Sequence, residues 1–494
     1  MLLFRKILFY VFVLVYIIGC PLIVLNSLGI VFFPDQKKLI QSTGLISLAT
    51  IPEGASLFIN NKLYNRKSPT LIRNLREGQY SIKIALDQYA EAEQLVQIDK
   101  GQAIALEDII LIPKKWPKDI LAPFMIEKIF TIYNNPYLVL SKNMMLSGIY
   151  IFRREDSIFS NLENGIKYPQ KEVILPLFSN DSQSNNMLVS EVILMPKSFF
   201  ALVVAKQGDK NYYLWTDLRV PGGPVLDLSQ LFVGVVDKIC WNSEDNESIF
   251  YLSENSLNRI NIKENAVYPN IADNIKGFGI INKKILVVNG ANQFEEIDYK
   301  NNTKKSLIGQ WSLLPDVFQK ALSLKMQILS EKIVLFIDDH GSLLSTTLPY
   351  ELIPAKVIGL GDILDDNKVL VWTKTKLGYI DFKEIKHEGI FEAGPRVEWV
   401  VKNAKDMQQA FWVNNGSHIL FRDGNQIKLV QMESYARDSI FNVGYATDTI
   451  AYFDNLGKAF LKDRDTNKFI SLTVVPKHGL IKFVLPESIN KQKN

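Results

Sequence analysis

The chain has 494 residues, of which 47% are hydrophobic and 22% charged, and its formal net charge is +4. So small a net charge, with basic residues scattered along the chain, gives no support for nucleic acid as a partner. Two cysteines, Cys20 and Cys240, are too few for a small disulfide-stabilised scaffold. The length suffices for two or more domains with large cores.

A long apolar run opens the chain. No charged residue lies between Ile7 and Phe33, and a helix of that length measures about 40 Å, more than the hydrocarbon core of a bilayer. We therefore predict a transmembrane helix over residues 7–33, with the lipid bilayer as its partner. A cleaved signal peptide would be shorter. Its weak candidate cleavage site, Ser27-Leu28-Gly29, is followed by further apolar residues.

The charges that flank this run predict its orientation. Arg5 and Lys6 precede it without an acidic residue, so the positive-inside rule makes residues 1–6 a cytoplasmic tail. The rest of a single-pass chain would then be extracytoplasmic, in the periplasm or at the cell surface of a bacterium. Lys37 and Lys38 on the far side weaken this contrast.

Cys20 has two interpretations. The stretch Ile17-Ile18-Gly19-Cys20 loosely resembles a lipobox, in which the cysteine becomes lipid-modified. However, Pro21 follows directly, and the apolar run continues for about a dozen residues beyond it. We favour an ordinary apolar residue inside a membrane helix.

A small β module follows the apolar run. Tyr80–Ile84 alternates apolar and polar residues, as does Leu95–Ile98 less strictly, and such alternation is typical of half-buried strands. Dense turn signals separate them: Asn60-Asn61, Ser68-Pro69, Glu77-Gly78 and Lys100-Gly101. We predict a compact β-sandwich over residues 44–112.

These residues resemble the PEGA domain. The matching segments, in order, are Pro52-Glu53-Gly54-Ala55, Leu57–Asn60, Ser68-Pro69-Thr70, Leu75–Tyr80 and Asp87–Tyr89. Three turn or strand-edge positions depart from the usual pattern: Asn60-Asn61 for Asp-Gly, Lys67-Ser68-Pro69 for Gly-Thr-Pro, and Gln88 for a Gly. Pro52 fixes φ and Gly54 permits positive φ, so we interpret the motif as a structural turn. The resemblance implies an extracytoplasmic adhesion or spacer module without catalytic residues.

Closely spaced prolines, Pro113, Pro117 and Pro123, predict a linker over residues 113–123. Beyond it the chain repeats hairpin patterns, most clearly in Ala410–Val430, which reads strand, Asn415-Gly416 turn, strand, Asp423-Gly424 turn, strand. Eight such units recur at blade-like spacing.

Radial packing of these units would cover their faces and edges. We therefore predict an all-β protein with a seven- or eight-bladed β-propeller over residues 124–490. Its pattern is similar to divergent WD40-like and TolB-like propellers, although Trp215-Thr216-Asp217 supplies no Trp-Asp signature. A series of β-sandwiches is the alternative, but no further linker follows residue 123.

We find no motif for catalysis, cofactor binding or metal binding, and we predict no such site and no cofactor. The four histidines, His340, His387, His418 and His478, lack zinc-site spacing. Two acidic stretches, 362–367 and 463–467, lack the glycine and distal glutamate of a calcium loop. Adjacent Ser417 and His418 should point to opposite faces of a hairpin, which excludes a dyad.

Tryptophans recur at blade-like intervals, and we interpret them as core residues rather than sugar-stacking platforms. They are Trp116, Trp215, Trp241, Trp311, Trp372, Trp399 and Trp412. The sequence thus predicts a non-enzymatic envelope protein that binds a protein or cell-surface polysaccharide through its propeller. A propeller hydrolase or lyase acting on glycans, with carboxylates gathered at the central channel, is the alternative.

Overall fold

The computed structural model describes most of the chain, in these ranges: 2–27, 30–32, 40–132, 135–155, 171–178, 186–242, 245–281, 284–299, 303–306, 321–329, 333–346, 351–354, 356–365, 367–382, 385–387, 390–392, 395–432 and 440–476. It opens with helix α1 (Leu2–Ser27), followed by the antiparallel pair β1 (Ile30–Phe32) and β2 (Ile40–Ser42).

The first helix differs from the predicted one over residues 7–33. It begins five residues earlier, at Leu2, and it ends at Ser27, so that Ile30–Phe32 forms strand β1. Those residues are β-branched and aromatic and suit a strand. Within the described ranges, no helix is both long enough and apolar enough to cross a membrane.

The small module is a two-layer sandwich, as predicted. Its strands are β3 (Gly44–Ile51), β4 (Ser56–Ile59), β5 (Lys62–Leu63), β6 (Thr70–Leu75), β7 (Gly78–Ala85), β8 (Ala92–Ile98) and β9 (Ala103–Ile110). One sheet has the order β6-β3-β9 and the other β5-β4-β7-β8. Strict alternation of buried residues in β3 and β8 places their apolar faces in one core.

The positions that depart from the PEGA pattern keep the turns that the pattern requires. Asn60 and Asn61 have φ of 47° and 63°, as in the tight hairpin turn that Asp-Gly would make. Gln88 has φ of 66° where a glycine is usual. A non-glycine residue in this region costs about 1–2 kcal/mol, so the fold of the module dictates these turns.

The described residues of the large region form β-strands and their connections, together with a turn of 3₁₀-helix at Leu146–Gly148. Its first strands are β10 (Lys118–Met125), β11 (Lys128–Phe130), β12 (Leu138–Ser141), β13 (Ile149–Glu155), β14 (Lys171–Pro176), β15 (Leu188–Leu194), β16 (Phe200–Gln207), β17 (Lys210–Asp217), β18 (Val225–Asp227), β19 (Val236–Asn242), β20 (Asp245–Ser253), β21 (Ser256–Asn261), β22 (Ala266–Ala272), β23 (Ile275–Ile281), β24 (Lys284–Asn289), β25 (Phe294–Asp298) and β26 (Thr303–Ser306).

The remaining strands are β27 (Leu324–Ile328), β28 (Val334–Asp338), β29 (Leu343–Ser345), β30 (Glu351–Ile353), β31 (Val357–Leu364), β32 (Lys368–Thr373), β33 (Leu377–Asp381), β34 (Ile385–His387), β35 (Ile390–Glu392), β36 (Arg396–Val401), β37 (Met407–Val413), β38 (His418–Asp423), β39 (Gln426–Gln431), β40 (Ile440–Tyr445), β41 (Ala451–Phe453), β42 (Lys458–Lys462) and β43 (Lys468–Thr473). The predicted three-strand unit within Ala410–Val430 corresponds to β37–β39.

In the described ranges these strands form eight four-stranded antiparallel sheets, which we call blades 1 to 8. Blades 1 to 5 are β11–β14, β15–β18, β19–β22, β23–β26 and β27–β30. Blade 6 is β31-β32-β33-β36, with the hairpin β34-β35 inserted before its last strand, and blade 7 is β37–β40. Blade 8 contains β41, β42 and β43.

The blades form a closed ring. One apolar cluster lies between each pair of consecutive blades, and the last cluster joins blade 8 to blade 1 through Phe460, Phe469 and Phe152. First strands of neighbouring blades contact each other, as β23 does β27, so they lie innermost. The fold is therefore an eight-bladed β-propeller, one of the two blade numbers that the sequence predicts.

Strand β10 completes blade 8 from the other end of the chain. It pairs with β43, with Lys118 opposite Leu472 and Ile120 opposite Ile470. The predicted linker 113–123 therefore extends too far, because the propeller begins at Lys118. Pro123 lies where the pairing is irregular, between Ile120 and Met125, and there a missing backbone N–H is tolerated.

The sandwich packs directly against the propeller. Ile110 is buried in the cluster between blades 7 and 8, and Ile51, Ile112 and Trp116 pack against that cluster. The Trp116 indole Nε1 donates to the Asn442 carbonyl oxygen at 3.0 Å. In the described chain, no residue of α1 belongs to an apolar cluster of the sandwich or the propeller.

Candidate binding site

A cavity opens at one end of the central channel. Because neighbouring strands are antiparallel, the loops that join the first and second strands of all blades lie at the same end, which we call the lower mouth. There a cavity of about 650 Å³ is formed by blades 1, 2, 7 and 8. Its lining is Thr131, Ile132, Asn135, Pro136, Lys197, Phe199, Gln409, Phe411, Ile450, Ala451, Tyr452, Phe453, Asp454 and Asn455.

Lys197 reaches this mouth from a tight turn in blade 2. The Ser198 amide donates to the Met195 carbonyl oxygen at 3.2 Å, and Lys197 has φ of 57°. Proline before a residue of positive φ matches a type II turn, whose third position usually requires glycine. A lysine there costs of order 1–3 kcal/mol, and such strain persists only where the surroundings hold it.

Buried hydrogen bonds from both neighbouring blades hold this turn. The Asn135 Nδ2 of blade 1 donates to the carbonyl oxygens of Met195 at 2.9 Å and Ser198 at 3.1 Å. The Trp241 Nε1 of blade 3 donates to the Ser198 Oγ at 3.0 Å. Asn135, Ser198 and Trp241 are all buried, so these bonds lie away from competing water and tie three blades together.

Phe199 is the most prominent apolar group at the mouth. Its ring is 40% exposed although it has two partners. Tyr137 of blade 1 packs edge-on against it, with ring centroids 6.2 Å apart, and the Arg219 guanidinium lies 5.1 Å from its centroid. Asp217 orients that guanidinium through bonds to both Nε and Nη2. The ring is thus held in place and yet available for a ligand.

The opposite side of the mouth carries a fixed polar group. The Asp454 Oδ1 accepts hydrogen bonds from the Asn414 amide at 2.7 Å and from the Tyr452 hydroxyl at 3.1 Å. Burial, and then the Asp454 charge, raise the pKa of Tyr452, so its phenol stays protonated. The side-chain amide of Gln409 makes two hydrogen bonds to the backbone of Ile450: its Nε2 donates to the carbonyl oxygen, and its Oε1 accepts from the backbone amide.

The chemistry of the mouth suits binding. Apolar and aromatic side chains form much of its wall, and amides and Lys197 supply donors, as in many ligand sites. Asp454 is the only carboxylate among the described lining residues, whereas glycoside hydrolysis ordinarily requires two. In the described part of the chain, no three His, Cys, Asp or Glu residues group as metal ligands.

The sequence prediction for Ser417 and His418, in blade 7 near the lower mouth, is wrong. The Ser417 Oγ lies 2.9 Å from the His418 Nδ1, whereas we expected opposite faces. Strand β38 begins at His418, so Ser417 belongs to the turn and strand alternation does not apply to it. Burial lowers the pKa of His418 to about 4, and its Nε2 has no partner among the described residues. Neither residue lines the cavity.

The other residues considered in the sequence are dispersed. His340 lies exposed beside Asp339, His387 is in β34, and His478 lies outside the described residues. The Asp463 carboxylate accepts from the Thr466 backbone amide and hydroxyl and pairs with Lys118. That is ordinary turn chemistry.

The second acidic stretch includes Asp362, which lies on β31, the innermost strand of blade 6. Asp366 lies outside the described residues.

Most of the tryptophans lie in the core, as predicted. Those buried within the propeller are Trp215, Trp241, Trp372 and Trp412. Trp399 is partly buried between blades 5 and 6. Trp116 joins the two domains instead, and Trp311 lies outside the described residues.

Sequence reasoning identified none of the mouth residues. Pro196-Lys197 offered a weak turn signal, but Phe199, Phe411 and Tyr452 read as strand or strand-end residues. They meet only because ring closure brings the first two blades next to the last two, which are far from them in the chain.

Comparison with known proteins identifies the smaller module. The sequence profile of the PEGA domain matches residues 43–108. These residues form a PEGA domain. The match has nearly the predicted range, 44–112, and it leaves the propeller outside the PEGA domain. A search of curated proteins found no match to the chain.

Among solved structures, the chain is similar to WD40 and β-propeller domains. The C-terminal WD40 domain of Sif2 matches with a TM-score of 0.44 and 11% identity, covering 74% of this chain and 99% of that one. The β-propeller domain of Cps50 (Swd1) from Myceliophteria thermophila matches with a TM-score of 0.33 and 7% identity, covering 58% and 100%. The N-terminal domain of Nup159 matches with a TM-score of 0.31 and 10% identity, covering 73% and 94%.

Proposed function

We propose that this protein is a membrane-attached, non-enzymatic binding protein. Helix α1 attaches it to a bilayer, the PEGA domain separates the bilayer from the propeller, and the lower mouth binds a segment of a partner protein. The apolar and aromatic wall of the mouth, built from four blades and held by buried hydrogen bonds, carries this proposal.

The surface of α1 supports membrane attachment. Six consecutive residues, Ile7 to Phe12, are each more than half exposed. Consecutive positions cover all sides of a helix, so this stretch of α1 has no polar face of the kind that a surface helix turns to water. The uncharged sequence from Ile7 to Phe33 supports the same conclusion.

The proposed location follows from the charges in the first turns of α1. Arg5 and Lys6 favour a cytoplasmic N-terminus, which would place the PEGA domain and the propeller outside the cytoplasm of a bacterial cell. The partner is then a protein of the cell envelope. A protein segment suits the mouth better than a polysaccharide because apolar side chains such as Ile132, Phe411 and Phe453 form much of its wall.

Photo-crosslinking tests the binding site. A photoreactive phenylalanine at Phe199 should yield one specific protein adduct in cells. The matched control is Tyr268, an aromatic residue of similar exposure, 43%, on the outer strand of blade 3. The same adducts from both positions, or none from Phe199, would contradict the proposal.

Two further measurements test the membrane attachment through α1 and the orientation of the chain. Alkaline carbonate should leave the full chain in the membrane fraction, and protease added outside the cytoplasmic membrane should remove the propeller. Release by carbonate would refute attachment through α1, and protection from the protease would refute the orientation.

A further inference from the structure

The PEGA domain carries basic and acidic residues on opposite edges. Strands β5 and β8 are the two outer strands of its four-stranded sheet. Residues 62–76, which include β5 and β6, contain five basic residues and no acidic residue. Residues 87–99, which include β8, contain four acidic residues and no basic residue. The domain therefore has a strong charge asymmetry.

The basic edge is open to solvent. Lys62, Arg66, Lys67 and Arg73 are all exposed, and among the described residues none of the four forms an ion pair. Three of them line a groove of about 960 Å³ on the three-stranded sheet. The Glu107 carboxylate in that groove accepts a hydrogen bond from the Ser47 hydroxyl at 2.7 Å. The groove thus presents cationic groups to any anion that approaches.

Apolar side chains lie beside these cations. Leu63 follows Lys62 and is 67% exposed, and Leu71 is 39% exposed on β6. A surface that combines basic groups with exposed leucines suits the membrane interface, where headgroups are charged and the layer beneath is apolar. A soluble polyanion would interact with the basic groups alone and would not contact the exposed leucines.

The PEGA turn holds the basic loop in place. The Gly54 amide donates to the Ser68 carbonyl oxygen at 2.8 Å, and the Ser68 amide donates to the Ala55 carbonyl oxygen at 3.0 Å. The Ser68 hydroxyl also accepts from the Ala55 amide at 3.0 Å and lies 2.6 Å from the Thr50 hydroxyl. Since Ser68 is buried and follows Lys67 directly, the turn fixes where the cations project.

We propose that this basic edge binds anionic lipid headgroups of the membrane to which α1 attaches, so that the PEGA domain lies edge-on against the bilayer. The inference rests on the proposed attachment through α1. Residues 28–43, which separate α1 from β3, would span about 55 Å if fully extended, and the antiparallel pairing of β1 with β2 shortens that distance, so the PEGA domain stays near the membrane surface. The acidic edge would then face away from the membrane.

Vesicle sedimentation tests this proposal with a chain that starts at residue 43. This chain keeps every apolar cluster of both domains, because α1 contributes to none of those described. We expect it to bind phosphatidylcholine vesicles that contain 30% phosphatidylglycerol, and not pure phosphatidylcholine vesicles. One basic residue near an anionic surface contributes about fivefold, so R66Q/K67Q/R73Q should weaken binding about 100-fold.

The control K206Q/K210Q/K402Q removes three exposed charges from the propeller and should bind normally. Equal loss in both triple variants, binding to neutral vesicles, or retention of soluble polyphosphate without vesicle binding would overturn the proposal. The experiments distinguish failure of the proposed α1 attachment from failure of the proposed lipid binding by the basic edge. Carbonate release of the full chain would refute only the α1 attachment, and absent vesicle binding by the shortened chain would refute only the basic edge.

Discussion

The Trp241 indole nitrogen donates a hydrogen bond to the Ser198 hydroxyl at 3.0 Å, and both residues are buried. Because Ser198 also accepts a bond from Asn135 through its carbonyl oxygen, it connects blades 1, 2 and 3. Apolar clusters also lie between consecutive blades, and other hydrogen bonds cross from blade to blade, as where the Trp412 Nε1 donates to the Asp362 carbonyl oxygen at 3.0 Å. Directional bonds of this kind fix the angle between blades and so the shape of the lower mouth.

Removing this hydroxyl should destabilise the propeller. In Ser198→Ala the Trp241 N–H loses its partner in a buried site, and we expect the free energy of unfolding to fall by about 1–2 kcal/mol. Denaturant unfolding followed by tryptophan fluorescence measures it. Ser190→Ala is the matched control, since Ser190 is exposed in the same blade and bonds only to its neighbouring strand. An equal effect of both substitutions would contradict this role.

The contact between the two domains should depend on Trp116. Trp116→Phe keeps an aromatic ring but removes the hydrogen bond to Asn442, which should weaken docking by about 1 kcal/mol. Transient separation would expose the backbone at Lys114 and Lys115, and we expect trypsin to cleave there about five times faster. Mass spectrometry identifies the products. Trp399→Phe, in blade 6, should leave this cleavage unchanged, and an unaltered rate in Trp116→Phe would refute the contact.

Asp423 should make the free energy of unfolding of the protein decrease as the pH is lowered. Burial alone would raise the pKa of Asp423, but bonds from Lys428 and from the Asp406 and Lys405 amides outweigh it and hold the pKa below its usual value. The unfolded chain therefore binds the proton more readily. The stabilisation is complete above about pH 4 and is lost as the pH falls through the lower, folded-state pKa.

Asp423→Asn should accordingly lower the free energy of unfolding by about 2–4 kcal/mol at pH 7, with the difference shrinking toward pH 3. Asp209→Asn, in an exposed turn, is the control and should have little effect at either pH. A loss in Asp423→Asn that is independent of pH would show that its ionisation plays no part.

Asp362 should make the free energy of unfolding depend on pH in the opposite sense, so that stability falls as the pH rises. Burial raises the pKa of Asp362 to about 8, so the folded protein holds its proton where the unfolded chain does not. Stability should then decline as the pH rises from about 4 to 8. Because its side chain retains some exposure, we expect Asp362→Asn to stabilise the protein by only about 1–3 kcal/mol at pH 8, and not at pH 4. Thermal unfolding at both values tests this against Asp365→Asn, and destabilisation at pH 8 would contradict it.

Local patterns sufficed to predict many of the strands and turns, although not β1 or the start of β10. Alternation in the segments that became β7 and β8 indicated half-buried strands of a sandwich, and the Asn415-Gly416 and Asp423-Gly424 pairs indicated hairpins of blade 7. These signals are local, since turn geometry and side-chain alternation depend on neighbours in the chain. The same reasoning failed at Ser417, because periodicity does not tell where a strand begins to within one residue.

The Pro52-Glu53-Gly54-Ala55 stretch shows what can be predicted from local sequence and what depends on the tertiary structure. The sequence by itself determined that these residues form a turn in a β module, because proline and glycine restrict or permit particular backbone angles. Only the tertiary structure decided that this turn is hydrogen-bonded to Ser68. It alone decided that β10 pairs with β43 to complete blade 8, and that Lys197, Phe199 and Tyr452 all line the lower mouth. Those relationships depend on sheet pairing and ring closure between residues far apart in the chain, for which local periodicity carries no signal.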